Sequence, residues 1–161
     1  MAERSAPAPA LERYFTYRLN TLSKLNDLAS HSLYLREGGL SLSESRALAS
    51  IGSFPHITVV QLAYEANLDK GQASRAAQSL VDKGLVIKTS SLVDGRSVIL
   101  ALTAKGKPVW RKLMALIERR NQQLTSCLSA NEQVQLLHLF ERLLAQAQAE
   151  HAGLGGSDEA V

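Results

Sequence analysis

The sequence predicts a mainly α-helical protein with one small β element, and three observations carry that prediction. Apolar residues recur at three- and four-residue steps along most of the chain, capping residues stand where those runs begin, and the pattern becomes strand-like only between residues 85 and 102.

The first run places Leu11, Phe15, Leu19, Leu22, Leu25, Ala29 and Leu33 on one face and meets no breaker before Gly38-Gly39, which predicts a long helix over 11–36. Ser43 is placed as the N-cap of a short helix through Leu48 and Ile51 that Phe54-Pro55 stops. Thr58 caps Val59 to Ala66, and Asp69 caps Lys70 to Lys83, with Asn67-Leu68 as a tight turn between them and Gly84 as the closing glycine. Two β-rich runs, 85–90 and 97–102, then enclose Asp94-Gly95, the signature of a hairpin. Thr103 caps a long helix carrying Val109, Leu113, Leu116, Ile117, Leu124 and Leu128. Ser129 and Glu132 form a capping box for the last helix, from Ala130 to about Glu150. These elements predict one domain over 11–152, with long helices in 11–37 and 104–152 flanking a compact middle over 42–103. Residues 1–10 are expected to be a disordered leader and 153–161 a disordered tail.

Composition narrows the function. A chain of 161 residues with 45% hydrophobic and 20% charged residues suits one soluble globular domain. Its apolar runs are far shorter than the roughly 20 residues a membrane helix needs, and the Ala/Pro-rich start lacks the pattern of an export signal, which predicts a cytoplasmic protein. The single cysteine, Cys127, allows no internal disulfide and is expected on the apolar side of a late helix as a structural residue. His31, His56, His138 and His151 show no paired spacing, so neither a metal site nor a cofactor is indicated. No Gly-x-Ser-x-Gly, phosphate loop or His-Glu-x-x-His motif occurs, and an enzyme is not expected. Net charge is only +3, but nine of the basic residues fall between Lys83 and Arg120 against two acidic ones, which concentrates positive charge in one segment.

Helix, tight turn, helix and hairpin in that order describe a winged helix-turn-helix, in which the second helix enters the DNA major groove and the first braces it. On that second helix Lys70, Gln72, Ser74, Arg75 and Gln78 offer donors and acceptors to bases and phosphates. Leu80 anchors it, and Gly71, Ala73, Ala76 and Ala77 are small enough to permit close approach. Thr58 on the bracing helix and Lys88 on the hairpin complete the DNA-facing candidates.

The segment Asp94-Gly95-Arg96 followed by Leu102-Thr103 resembles the MarR-family wing, and Leu80-Val81-Asp82-Lys83-Gly84-Leu85-Val86 resembles that family's exit from the recognition helix. The resemblance extends over roughly residues 11–150. It implies a bacterial homodimeric repressor on a pseudo-palindromic double-stranded DNA operator, with Arg96 in the minor groove and Asp94 positioning the wing; a simple hairpin turn explains the same tripeptide. Lysines in Thr103-Ala104-Lys105-Gly106-Lys107 would lie near phosphate or form a solvated face. The terminal helices carry more apolar surface than one face needs, so Leu11, Tyr14, Phe15, Leu19, Leu136, Leu137, Phe140, Leu143 and Leu144 are the candidate dimer interface. The resemblance further implies a small aromatic acid effector held between the dimerisation helices and the winged region. Arg18 is the first candidate to grip it, with Arg46 and Trp110 behind; an interface salt bridge, a helix-to-helix contact and core packing are the respective alternatives. A second functional reading is a winged-helix adaptor that contacts only protein, which salt-dependent DNA binding would distinguish.

Overall fold

The structure, a computed structural model, describes residues 10–90 and 98–155. It forms two compact units, one running to Arg120 and one from Asn121 onward.

In the first unit, Leu11–Arg13 make a single 3-10 turn, Tyr14 is extended, and helix α1 spans Phe15–Gly38. The continuous helix therefore begins later than the apolar periodicity suggests. Neither Ala10 nor Tyr14 supplies a side-chain cap, and the Arg13 and Tyr14 amides donate only three residues back, to the Ala10 and Leu11 carbonyls, which makes this turn 3-10 rather than α. Only Ser30, Leu33 and Tyr34 of α1 are buried. Gly39, at φ +66°, closes the helix in a left-handed conformation that glycine adopts without steric cost.

Helix α2 spans Leu42–Ser53, and its N-cap is Ser41 rather than Ser43. The reason is reciprocity: the Ser41 hydroxyl accepts from the Glu44 amide at 3.2 Å while Glu44 Oε2 accepts from the Ser41 amide at 2.8 Å. A cap at Ser43 would put Arg46 three residues on, and a guanidinium accepts no hydrogen bond. Helix α3 spans Val59–Glu65 and α4 spans Lys70–Asp82, each opened by a capping box, Thr58 with Gln61 and Asp69 with Gln72. Between them Asn67 takes φ +51°, and its amide and that of Leu68 return to the Tyr64 and Ala63 carbonyls. Gly84, at φ +71°, repeats this arrangement at the end of α4.

Strands β1 (Val86–Ser90) and β2 (Val98–Leu102) pair antiparallel, Val86 opposite Leu102 and Ser90 opposite Val98. The Leu100 amide donates to the Ile57 carbonyl, which ties the hairpin to the loop before α3. The core is a single cluster to which α1 to α4, both strands and helix α5 (Gly106–Thr125) contribute; Leu48, Leu62, Leu80, Leu100 and Leu113 are among its most buried side chains. Trp110 packs beside it and donates from Nε1 to the Ala49 carbonyl at 3.3 Å. Gly52 is what admits the indole, because a Cβ there would overlap the ring.

The second unit contains α6 (Ala130–Gly155), opened by the Ser129–Glu132 capping box and braced by Gln133, whose side-chain Nε2 donates to the Thr125 and Leu128 carbonyls. Its described residues include none that is buried. Cys127 lies exposed in the turn before α6, not on an apolar helix face. No helix of the described residues is long and apolar enough to cross a membrane.

The start of α5 is fitted tightly to the exit of α4: a Cβ at Gly106 would collide with the Leu85 carbonyl. Backbone cannot swing aside as a flexible side chain can. Gly106→Ala is expected to lower stability by about 1–3 kcal/mol, read as a lower urea midpoint at constant slope; an unchanged midpoint would mean that this junction relaxes without strain.

Candidate nucleic-acid interface

Helix α4 divides sharply into two faces. Ala73, Ala76, Ala77 and Leu80 are buried against the core, while Lys70, Gly71, Gln72, Ser74, Arg75 and Gln78 are exposed. The three alanines therefore do not line the outward face; their small size lets α4 sit close to α2 and α3. Gly71 alone of the small residues faces outward. The Arg75 guanidinium folds back over it, with Nη1 3.2 Å from where a Cβ would stand.

Several polar candidates are already engaged. Gln72 Oε1 accepts from the Asp69 amide, and Gln78 links Asp82 to Lys88, donating to the first and accepting from the second at 2.7 Å each. That chain joins the recognition helix to β1. The Thr58 hydroxyl accepts from the Gln61 amide. Lys70, Ser74 and Arg75 are the described candidates best placed to meet an external anion or base edge. Asp94 and Arg96 lie outside the described residues, and with them the Asp94-Gly95 turn.

The lysines after the hairpin divide likewise. Thr103 donates to the Gly84 carbonyl and accepts from the Gly106 amide, and Lys105 Nζ donates to the Lys83 carbonyl at 2.9 Å. Lys105 thus serves the C-terminus of α4, where a cation is favoured. Lys107 is exposed.

What aims α4 is a residue that the sequence pattern does not single out. Glu44, 9% exposed, closes the α2 capping box with one carboxylate oxygen, and with the other accepts from Ser79 at 2.5 Å and Lys83 at 2.7 Å. Burial pushes its carboxyl up, but hydrogen bonds from Lys83, Ser79 and the Ser41 amide, and the Lys83 charge, outweigh that and bring its pKa down to about 2. Its position three residues after Ser41 was the only signal, and it pointed to the cap rather than to α4.

The ligand candidates are not brought together. Arg18 Nε donates to the Glu12 carbonyl, and the residue is exposed near the start of α1. Arg46 pairs with Asp27 at 2.6 Å, tying α2 to α1. Trp110 holds α2 through Ala49. Of the dimer candidates, Leu11, Tyr14, Phe15, Leu19, Leu137, Leu143 and Leu144 are exposed, and Leu136 and Phe140 are half-buried.

The model of the MarR family matches residues 38–97, from the end of α1 to the residue before β2. The multiple antibiotic resistance protein MarR of Escherichia coli is 30% identical over 112 residues, covering 69% of this chain and 78% of that protein. A MarR/EmrR family transcriptional regulator from Acinetobacter sp. ADP1 superposes with a TM-score of 0.79 at 23% identity, over 87% of this chain and 99% of that one. The Mycobacterium tuberculosis repressor Rv2887, in a complex with p-aminosalicylic acid, superposes with a TM-score of 0.68 at 22% identity, over 81% and 98% of the two chains.

A carboxyl whose folded pKa lies below its ordinary 4.5 contributes stability that is complete above that value and is lost as the pH falls through 4.5 towards 2. Glu44→Gln is expected to lower stability at neutral pH by about 1–3 kcal/mol and to flatten the acid limb of a stability profile taken by urea denaturation. A variant that kept the wild-type acid slope would assign that slope to other carboxylates.

Proposed function

The chain belongs to the MarR family of transcription regulators, and from that premise we propose that it is a homodimeric repressor that binds a pseudo-palindromic operator and is released by a small molecule. The observation that carries the reading is the two-faced helix α4, whose inner face is buried while Lys70, Ser74 and Arg75 stand outward beside a two-stranded wing. A helix so braced presents its outer side chains to the major groove, and arginine paired to guanine is the commonest base-specific contact there. Arg96, which the family resemblance assigns to the minor groove, would add charge there. The exposed leucines of α1 and α6 supply the apolar surface on which two copies would join. Release by a small molecule draws support from Rv2887, whose complex holds p-aminosalicylic acid.

The test is selection of genomic fragments with purified protein, followed by gel-shift titration at two salt concentrations. Wild-type protein is expected to select a pseudo-palindrome and to bind it more weakly at higher salt. Arg75→Ala should weaken specific binding by about 1–3 kcal/mol. Arg96→Ala should reduce the salt slope by about one counterion. Failure to bind any fragment at any salt would favour a protein-contacting adaptor instead.

Charge placed on the apolar face of α6 should separate the copies. Leu137→Glu with Leu144→Glu is expected to halve the mass measured by light scattering and to abolish tight operator binding; a variant that stayed dimeric would move the interface elsewhere.

A further inference from the structure

Helix α4 carries a glycine at its second residue, and nothing in the packing of the fold asks for one there. Gly39 and Gly84 take left-handed backbone, and Gly52 and Gly106 leave room for the Trp110 indole and the Leu85 carbonyl. Gly71 does neither: its backbone is helical, it is exposed, and no core group lies among the atoms nearest it. Glycine is among the poorest helix formers, because it loses the most backbone freedom on folding. Its place on an outward helix face therefore has its reason outside stability.

The space where a side chain would begin supplies that reason. The atoms nearest to a Cβ at 71 are Arg75 Nη1 and Asp69 Oδ1, each 3.2 Å away, followed by Arg75 Cζ at 3.9 Å. A long side chain on a helix leans towards the N-terminus over the residue four before it, so the Arg75 guanidinium lies above Gly71. The Asp69 charge draws the cation that way, while its Oδ1 stays on the cap and accepts from the Gln72 amide at 2.7 Å. An arginine rooted in the second turn of α4 thus delivers its charge to the first turn, the end that meets base edges in a helix-turn-helix. A methyl group at 71 would crowd the guanidinium and push it off this position. Arg75 also borders an open groove of about 360 Å³ between α4 and the start of α2, lined in part by Ser43, Glu44 and Gln72. A guanidinium displaced from Gly71 has room there, and the Glu44 carboxylate draws it away from the first turn.

We propose that Gly71 is a positioning residue for Arg75: the notch it leaves holds the guanidinium over the first turn of α4 and so fixes which base pair of each half-site that arginine reads. The proposal rests on the reading of the chain as an operator-binding repressor, and it names a determinant of that repressor's sequence preference. Substitution of Gly71 then acts with opposite signs on stability and on binding, which a purely structural glycine does not do.

The experiment uses the full chain as wild type, Gly71→Ala, Arg75→Ala and the double variant, with the operator that wild-type protein selects. Gly71→Ala is expected to leave the melting temperature unchanged or to raise it by up to about 4 °C, since alanine favours the helix. It should weaken operator binding by about five- to fiftyfold, within the roughly 5–150-fold that a lost bidentate base contact is worth. In the Arg75→Ala background the same substitution should change affinity by less than about twofold, because no guanidinium is left to displace. Fragments reselected with Gly71→Ala should lose preference at the same base pair as those reselected with Arg75→Ala and keep it elsewhere. Operator binding by Gly71→Ala within about twofold of wild type would overturn the proposal. So would an equal loss with and without Arg75, which would make Gly71 a point where DNA approaches the helix backbone directly. Wild-type protein that selects no fragment would remove the repressor reading and this role together. An operator that is selected, with no coupling between positions 71 and 75, would remove this role alone.

Discussion

Glu44 stands at the third position of α2, closes that helix's own capping box, and with its second oxygen holds Ser79 on α4 and Lys83 at that helix's C-cap. One buried carboxylate thus sets the start of α2 and the angle at which the recognition helix lies across it. Removing a buried charge from such a cluster costs more than the pair is worth, because the partner left behind stays desolvated. The outward direction of Arg75 and Lys70 follows from that constraint, since a helix pinned along one side has only one face to offer.

The same helix shows how close packing and recognition share a short sequence. Alanines at 73, 76 and 77 bring its inner face against α2 and α3, and Leu80 fills the space beyond them. Its far end is held by Gly84, whose left-handed backbone turns the chain into β1, and by Thr103 and Lys105, which bond to the last carbonyls. Gln78 then joins helix to hairpin through Asp82 and Lys88. Helix and wing are therefore one mechanical piece. A displacement of α5 at Gly106 would reach the recognition helix through the same junction.

Arginines in this chain divide by whether a carboxylate has already claimed them. Arg46 and Arg119 are paired across helices, with Asp27 and Glu37, and serve the fold. Arg75 is paired with no carboxylate within salt-bridge distance among the described residues and lies over a glycine. On the proposed reading Arg75 would give up only water to meet DNA, whereas the arginines that brace two helices already hold a carboxylate.

By itself the sequence determined the helices, the hairpin strands, two of the three caps in the winged region and the family. All of these depend on spacing within a few residues, and that spacing is set by the periods of the helix and the strand. Ser41 was missed as a cap although its signal was local, because two serines compete there and only the return bond from Glu44 separates them. What a side chain meets across the fold was decided only by the tertiary structure. Ala73, Ala76 and Ala77 read as small residues permitting close approach on the outward face, although their spacing from the anchor Leu80 puts them on its side of the helix, and α2 and α3 pack against that side. Arg46 reads as either a ligand grip or a helix-to-helix contact until Asp27, nineteen residues earlier, is found beside it. Lys105 reads as a phosphate contact until the Lys83 carbonyl is seen to hold it. Local periodicity fixes which residues share a face; only packing brings distant residues together and decides which charges are spent on the fold and which remain for a partner.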